Sequence, residues 1–226
     1  MRTGSCAKLS GLETGPEMRV IGGELRGRRL EAPEGLDTRP MLDRVREPLF
    51  STLTPWLAGG TVLDLFAGSG SLGIEALSRG ARSARFVETA TKALLCLRQN
   101  VAALALDARA EVVRGDAMAR ANWGGPADVV FVDSPYPLLD DKKARARLFV
   151  ALAELVATQL APEGVLVFHA PRRAVFASEF GTGVVLRERE YGTNSLWYAQ
   201  REGAPAGAPA AEPERAAEEP MDREHA

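Results

Sequence analysis

Four carboxylates stand at the ends of apolar runs: Asp64 in TVLDLF, Glu88 closing SARFVE, Asp116 in VVRGDAM and Asp133 in FVDSPYP. Between the first two lies Gly68-Ser69-Gly70-Ser71-Leu72-Gly73, a G-x-G-x-x-G spacing that leads from an apolar run into a helical pattern. Glycines in such a turn let a ligand approach the backbone, and an acid about 20 residues further on, where Glu88 stands, suits ribose hydroxyls. A dinucleotide and S-adenosylmethionine both meet that description. Asp64 separates them, because a carboxylate beside the loop repels a pyrophosphate but suits an ammonium or sulfonium group. No lysine follows the loop, which excludes a triphosphate P-loop. Asp116, on the next tip, suits an adenine amine. Such a turn can be purely structural, but three acidic tips on the carboxyl edge of one sheet mark a ligand site, and S-adenosylmethionine is the favoured ligand.

The fourth tip asks for different chemistry. In Asp133-Ser134-Pro135-Tyr136 a turn accounts for the aspartate and the proline but not for the tyrosine. The lone pair of a purine's exocyclic amine is delocalised into the ring, and methyl transfer requires it to turn outward. Two acceptors on the two N–H groups, the Asp133 carboxylate and the Ser134 carbonyl, favour that turn and strengthen as the nitrogen gains charge. Pro135 fixes the backbone. Tyr136 offers a face on which a flipped base stacks, worth ~1–3 kcal/mol. The plain alternative is a capped turn with Tyr136 lying on the surface.

The remaining sequence must position these groups. The chain has 226 residues, 46% apolar and 26% charged, with a net charge of −2. These are the proportions of a soluble globular domain. No apolar run approaches the ~18 residues of a membrane helix, and residues 1–17 lack the apolar centre of a signal peptide, so the expected location is cytoplasmic. Cys6, Cys96, His169 and His225 form no metal-ligand pattern; Cys96 reads as a small buried residue on a helix. Residues 203–226 hold six acids against two arginines, −4, leaving +2 for the rest. Both this Ala/Pro/Glu-rich tail and residues 1–17 are expected to be disordered.

Residues 18–40 carry short alternating runs around glycines, expected to form a small arginine-bearing hairpin. From 41 to 202 a single domain is expected. A helical pattern over 42–57 contains Pro48, which should start or kink it. Strands are expected at 61–66, 83–88, 110–116, 127–133 and 164–170, with helices at 71–80, 91–106 and 141–160. That alternation predicts an α/β fold with a mostly parallel sheet. Runs 184–190 and 195–202 are joined by Tyr191-Gly192-Thr193-Asn194 without a helix, which predicts an antiparallel last strand.

Together these residues resemble the class I S-adenosylmethionine-dependent methyltransferases of exocyclic amines, whose fourth-strand motif reads Asp/Asn-Pro-Pro-Tyr/Phe. More narrowly, RVIGGELRGRRL, TRPMLDRVREPLF, LDLFAGSGSLGIEALSRGA and VFVDSPY resemble, over about residues 18–200, the RsmD-type small-subunit rRNA guanine-N2 methyltransferases. The resemblance implies a Rossmann-like seven-stranded sheet and methylation of a guanine N2 in 16S rRNA. It also implies a substrate in a partly or fully assembled small subunit; a monomer is expected. The implied cofactor site is Asp64, Phe66, Ala67, Gly68, Gly70, Leu72, Glu88, Asp116 and Ala117, and the implied catalytic motif is Asp133, Ser134, Pro135 and Tyr136. Ser134 departs from the family's usual first proline, and Pro48 from its usual better helix former.

Arg26, Arg28, Arg29, Arg39 and Arg44 suit phosphates around a target loop, with Arg19 and Arg46 as further candidates. Three competing functions share parts of the pattern: methylation of another amine such as adenine N6 or a glutamine amide, an NAD-dependent oxidoreductase, and a non-catalytic RNA-binding module. DNA enzymes usually carry an added recognition domain, for which this chain has no room.

Overall fold

The computed structural model describes residues 18–33 and 43–204. The disorder expected for 1–17 and for most of the acidic tail, and the phosphate role expected of Arg39, lie outside the described residues.

Helix α1 (Asp43–Leu57) leads into β1 (Thr61–Leu65), α2 (Ser71–Ser78), β2 (Ser83–Glu88), α3 (Thr91–Ala103) and β3 (Ala110–Arg114). After β4 (Ala127–Val132) come the short α4 (Pro137–Asp140), α5 (Lys142–Glu154), a single π turn (Leu155–Gln159) and β5 (Leu160–Pro171). β6 (Val184–Tyr191) and β7 (Asn194–Arg201) follow. The seven strands lie in the order β3-β2-β1-β4-β5-β7-β6. β1 to β5 pair in parallel, while β7 pairs antiparallel with both β5 and β6. The strand order reverses between β1 and β4, so a crevice opens beyond their carboxyl ends, where such sheets bind ligands.

Both faces of the sheet are covered. Alternate residues of each central strand serve opposite cores, which is why these strands read as nearly continuous apolar runs. Val62, Phe86, Val129, Phe131 and Val167 pack with Leu49, Phe50 and Leu53 of α1, Ile74 and Leu77 of α2, and Leu97 of α3. On the other face Leu63, Leu65, Val130, Val132 and Phe168 pack with Leu148, Phe149 and Leu152 of α5.

One sequence expectation changes here. α1 begins five residues before Pro48 and runs through it, so Pro48 does not start the helix. The proline removes one N–H, whose partner would have been the Arg44 carbonyl. The buried stripe Val45, Leu49, Phe50, Leu53 and Leu57 outweighs that single loss. The helix expected over 141–160 also ends early, giving way to the π turn and a β5 that starts at Leu160 beside Ala127.

The N-terminal segment forms a small hairpin closed by one antiparallel bridge, Arg19 to Arg29. It is seated on α2 and α3. Glu75, fully buried on α2, accepts from the backbone N–H groups of Ile21 and Gly22 at 2.8 Å each. The same carboxylate takes Arg46 Nη2 at 3.0 Å and Arg79 Nε at 2.7 Å. Asn100 of α3 pins Glu31 from both sides, accepting its N–H at 2.8 Å and donating to its carbonyl at 3.0 Å. Cys96 is buried, as expected, and its thiol also donates to the Glu31 carbonyl at 3.0 Å.

Candidate active site

The glycine loop is built from crowding. Phe66, the residue after β1, lies in the left-handed region, φ 59°, an uncommon conformation for a non-glycine residue that marks a constrained turn. Gly70 follows at φ 83°, and a Cβ there would lie 2.3 Å from Leu97 Cδ1. A Cβ on Gly73 would lie 2.3 Å from the Phe86 ring, so this glycine lets α2 pack against the sheet. Gly68 differs, since a Cβ there would meet only the Phe66 carbonyl oxygen, at 4.0 Å. Its open side is the approach a ligand would use.

The carboxylates hold this loop. Asp64 is 1% exposed, and its Oδ2 accepts the Gly73 N–H at 2.9 Å. Glu88 Oε2 accepts the Gly68 N–H at 2.9 Å, and its Oε1 accepts the N–H groups of Thr89 and Ala90 at 2.7 Å. A carboxylate has about four acceptor positions, so Glu88 keeps about one beyond these three. Asp116 Oδ1 accepts the Met118 N–H at 2.9 Å, and its Oδ2 pairs with Arg147 of α5. Partial burial pushes the Asp116 pKa up, but these two partners outweigh it and hold the group below its ordinary range. Of the other expected cofactor residues, Ala67 bonds Val87 across the β1–β2 junction, while Leu72 and Ala117 are buried beside the loop and the β3 tip.

Burial pushes the Asp64 pKa well above its ordinary value, the Gly73 N–H pulls it back, and the charges of Asp133 and Glu88 push it further up. Three carboxylates therefore share one field, and a cation bound among them relieves it. A pyrophosphate would deepen it. S-adenosylmethionine fits this donor set: acids for its cationic end and ribose, an open glycine, and Asp116 for its adenine. A raised folded-state pKa means that ionised Asp64 opposes folding as pH rises past its unfolded value. Asp64→Asn should therefore leave the ligand-free melting temperature at or above that of the parent at pH 7. It should weaken S-adenosylmethionine binding by about tenfold through the lost charge. Calorimetric titration and thermal melting check both parts, and unchanged affinity would remove Asp64 from the cationic site.

At the next tip, Asp133 is about one-third exposed, and His169 Nδ1 lies 2.8 Å from its Oδ1. Parallel pairing of Val132 with Phe168 puts the two residues at neighbouring strand ends. Tyr136 is 43% exposed, and its hydroxyl donates to Asn194 Oδ1 at 2.9 Å. Burial, and then the Asp133 charge, push the Tyr136 pKa up, so the phenol keeps its proton for Asn194. Ser134 is buried with no hydroxyl partner among the described residues, whereas Pro135 is exposed. Behind the motif, Arg145 clamps the segment: its guanidinium binds Glu179 and the carbonyls of Leu139 and Ala174.

Thus Asp64, Glu88, Asp116 and Asp133 sit on the tips of β1 to β4. The arginines separate. Arg26, Arg28 and Arg29 are exposed on the hairpin, where Arg28 also donates to the Ala103 carbonyl at 3.1 Å. Arg44 is exposed on α1, facing the Gly192 turn. Arg46 is corrected: it is 2% exposed and occupied by Glu75, so it cannot reach a phosphate. Sequence reasoning missed His169 and Asn194. Each carried a signal, as the first polar residue ending the apolar run of β5 and the last residue of the β6–β7 turn. Among the described residues no cluster of His, Cys, Asp and Glu could hold a metal ion, and no helix is long and apolar enough to cross a membrane.

The chain is similar to known proteins in sequence and fold. YlbH of Bacillus subtilis is 34% identical over 190 residues, 82% of this chain and 100% of its own length. Ribosomal RNA small subunit methyltransferase D of Escherichia coli is 45% identical over 121 residues, 53% of this chain and 61% of that protein's length. The solved structure of yhhF from Escherichia coli superposes with a TM-score of 0.70 at 35% identity, covering 83% of this chain and 99% of that one. The family model described as Conserved hypothetical protein 95 matches residues 18–200. The chain belongs to that family, the RsmD-type methyltransferases, and has the Rossmann-like fold of class I.

Proposed function

We propose that the chain methylates the exocyclic N2 of a guanine in 16S rRNA, with S-adenosylmethionine as donor and a partly or fully assembled small subunit as substrate. The observation that carries this reading is Asp133, a part-exposed carboxylate beside an exposed tyrosine, one strand away from the glycine loop. The printed name of the Escherichia coli relative supports small-subunit rRNA as the substrate class.

S-adenosylmethionine would be held by Asp64, Phe66, Ala67, Gly68, Gly70, Leu72, Glu88, Asp116 and Ala117, and when bound it supplies an electrophilic methyl group. The chain's own residues prepare the amine. Asp133 and the Ser134 carbonyl accept its two N–H groups, which turns the lone pair out of the ring plane. As the nitrogen becomes positive, both contacts strengthen, so they lower the barrier rather than merely bind the base. Asp133 takes the proton late, once the nitrogen is cationic. Tyr136, tethered through its hydroxyl, presents a ring for the flipped base.

Undermethylated small subunits incubated with labelled S-adenosylmethionine should yield N2-methylguanosine on nuclease digestion and mass spectrometry. Label on adenine N6, or no label in RNA, would end the proposal. Arg26, Arg28 and Arg29 add a sequence-independent attraction for phosphate. Their acidic neighbour Glu24 is paired with Arg109. Charge reversal, R28E with R29E, should raise KM for the subunit about tenfold or more at low salt while S-adenosylmethionine affinity stays constant. Loss of both affinities together would place these arginines in the fold rather than at the RNA.

A further inference from the structure

The Asp133–His169 contact has one chemical direction. An ionised carboxylate only accepts, so Nδ1 carries the proton and donates to Oδ1. His169 is 7% exposed, and Nε2 is buried without a partner among the described residues. The 2.8 Å contact with Asp133 holds the other side of the ring. The same ring meets the Tyr136 ring edge-on, with centroids 6.1 Å apart. One buried side chain of β5 therefore touches both functional side chains of the β4 motif.

Asp133 needs such a restraint. Its one-third exposure gives it room to turn toward water. Ser134 stands where a proline would have stiffened the backbone. We propose that His169 is the positioning residue for Asp133: its Nδ1–H pins Oδ1, so that Oδ2 alone is presented to the acceptor amine. The inference rests on the reading of Asp133 as the amine acceptor.

His169→Asn and His169→Gln separate this role from packing. The Asn amide nitrogen occupies the place of Nδ1, whereas the Gln amide reaches the place of Nε2. H169Q should lower kcat about tenfold to a hundredfold, the scale of a misplaced catalytic group, with KM for the subunit and S-adenosylmethionine affinity nearly constant. H169N should recover to within about fivefold of the parent kcat. H169Q at parental kcat, or a folded H169N no better than H169Q, overturns the proposal. If H169Q melts early, H169N decides alone, since a folded H169N with a tenfold loss overturns it. Asp133→Ala is run beside them. If that variant keeps full turnover, the reading of Asp133 itself has failed, a result distinct from failure of His169.

Discussion

Asp133→Ala should lower the rate of methyl transfer about a thousandfold while S-adenosylmethionine still binds. Removing one preorganised partner of a developing charge typically costs 10²–10³ in kcat, and loss of the proton acceptor adds to it. Cofactor affinity should move by less than about tenfold, because one charge a few ångströms away in a partly solvated site is worth ~1 kcal/mol. The variant also strands His169 Nδ1 in a buried place, at a cost of about 1–3 kcal/mol. Thermal melting therefore accompanies the kinetics. Asp133→Asn keeps an acceptor oxygen and should fall between the parent and D133A. Single-turnover transfer to undermethylated subunits, with calorimetry for the cofactor, measures each quantity. D133A at parental rate would show that the amine is held elsewhere.

The largest loss of stability is expected at a residue far from the reacting atoms. Glu75 is fully buried and serves two backbone N–H groups, Arg46 and Arg79. Glu75→Ala leaves the Arg46 guanidinium buried opposite a void, and removing one partner of a buried ion pair costs about 3–5 kcal/mol. For a domain of this size that corresponds to a fall in melting temperature of roughly 10 °C. The hairpin should loosen at the same time, because its Ile21 and Gly22 contacts end on the same carboxylate. Limited proteolysis should then cut within residues 18–31 before the domain core. Replacing the pair together, Glu75→Leu with Arg46→Met, should recover only part of the loss, since no apolar side chain accepts the two backbone donors. A melting shift below about 2 °C for E75A would show that the network contributes little.

Asp64 and Glu75 show different limits of what can be read from a chain. The glycine spacing and the acids at 64, 88, 116 and 133 are local signals. Each ends an apolar run with strand character, and parallel strands connected by helices deliver their ends to one edge of the sheet. The sheet, its antiparallel last pair and the order of its elements follow from the same periodicities, because alternation and helical spacing reflect which side of each element must leave water. Glu75 sits inside an unremarkable helical run. Only docking of the hairpin makes it a buried hub, and only that docking turns Arg46 from a candidate phosphate ligand into its counter-ion. Likewise α1 passes through Pro48 because its apolar stripe packs on the sheet, an energy that no local propensity contains.

His169 and Asn194 lie 36 and 58 residues from the side chains they hold, Asp133 and Tyr136. The sequence by itself determined which carboxylates stand at the strand tips and on which edge they gather. Tertiary structure alone decided which neighbours restrain them, because a hydrogen bond between two strand tips depends on the register of β4 against β5. That register is set by packing across the whole sheet and leaves no mark in either segment taken alone.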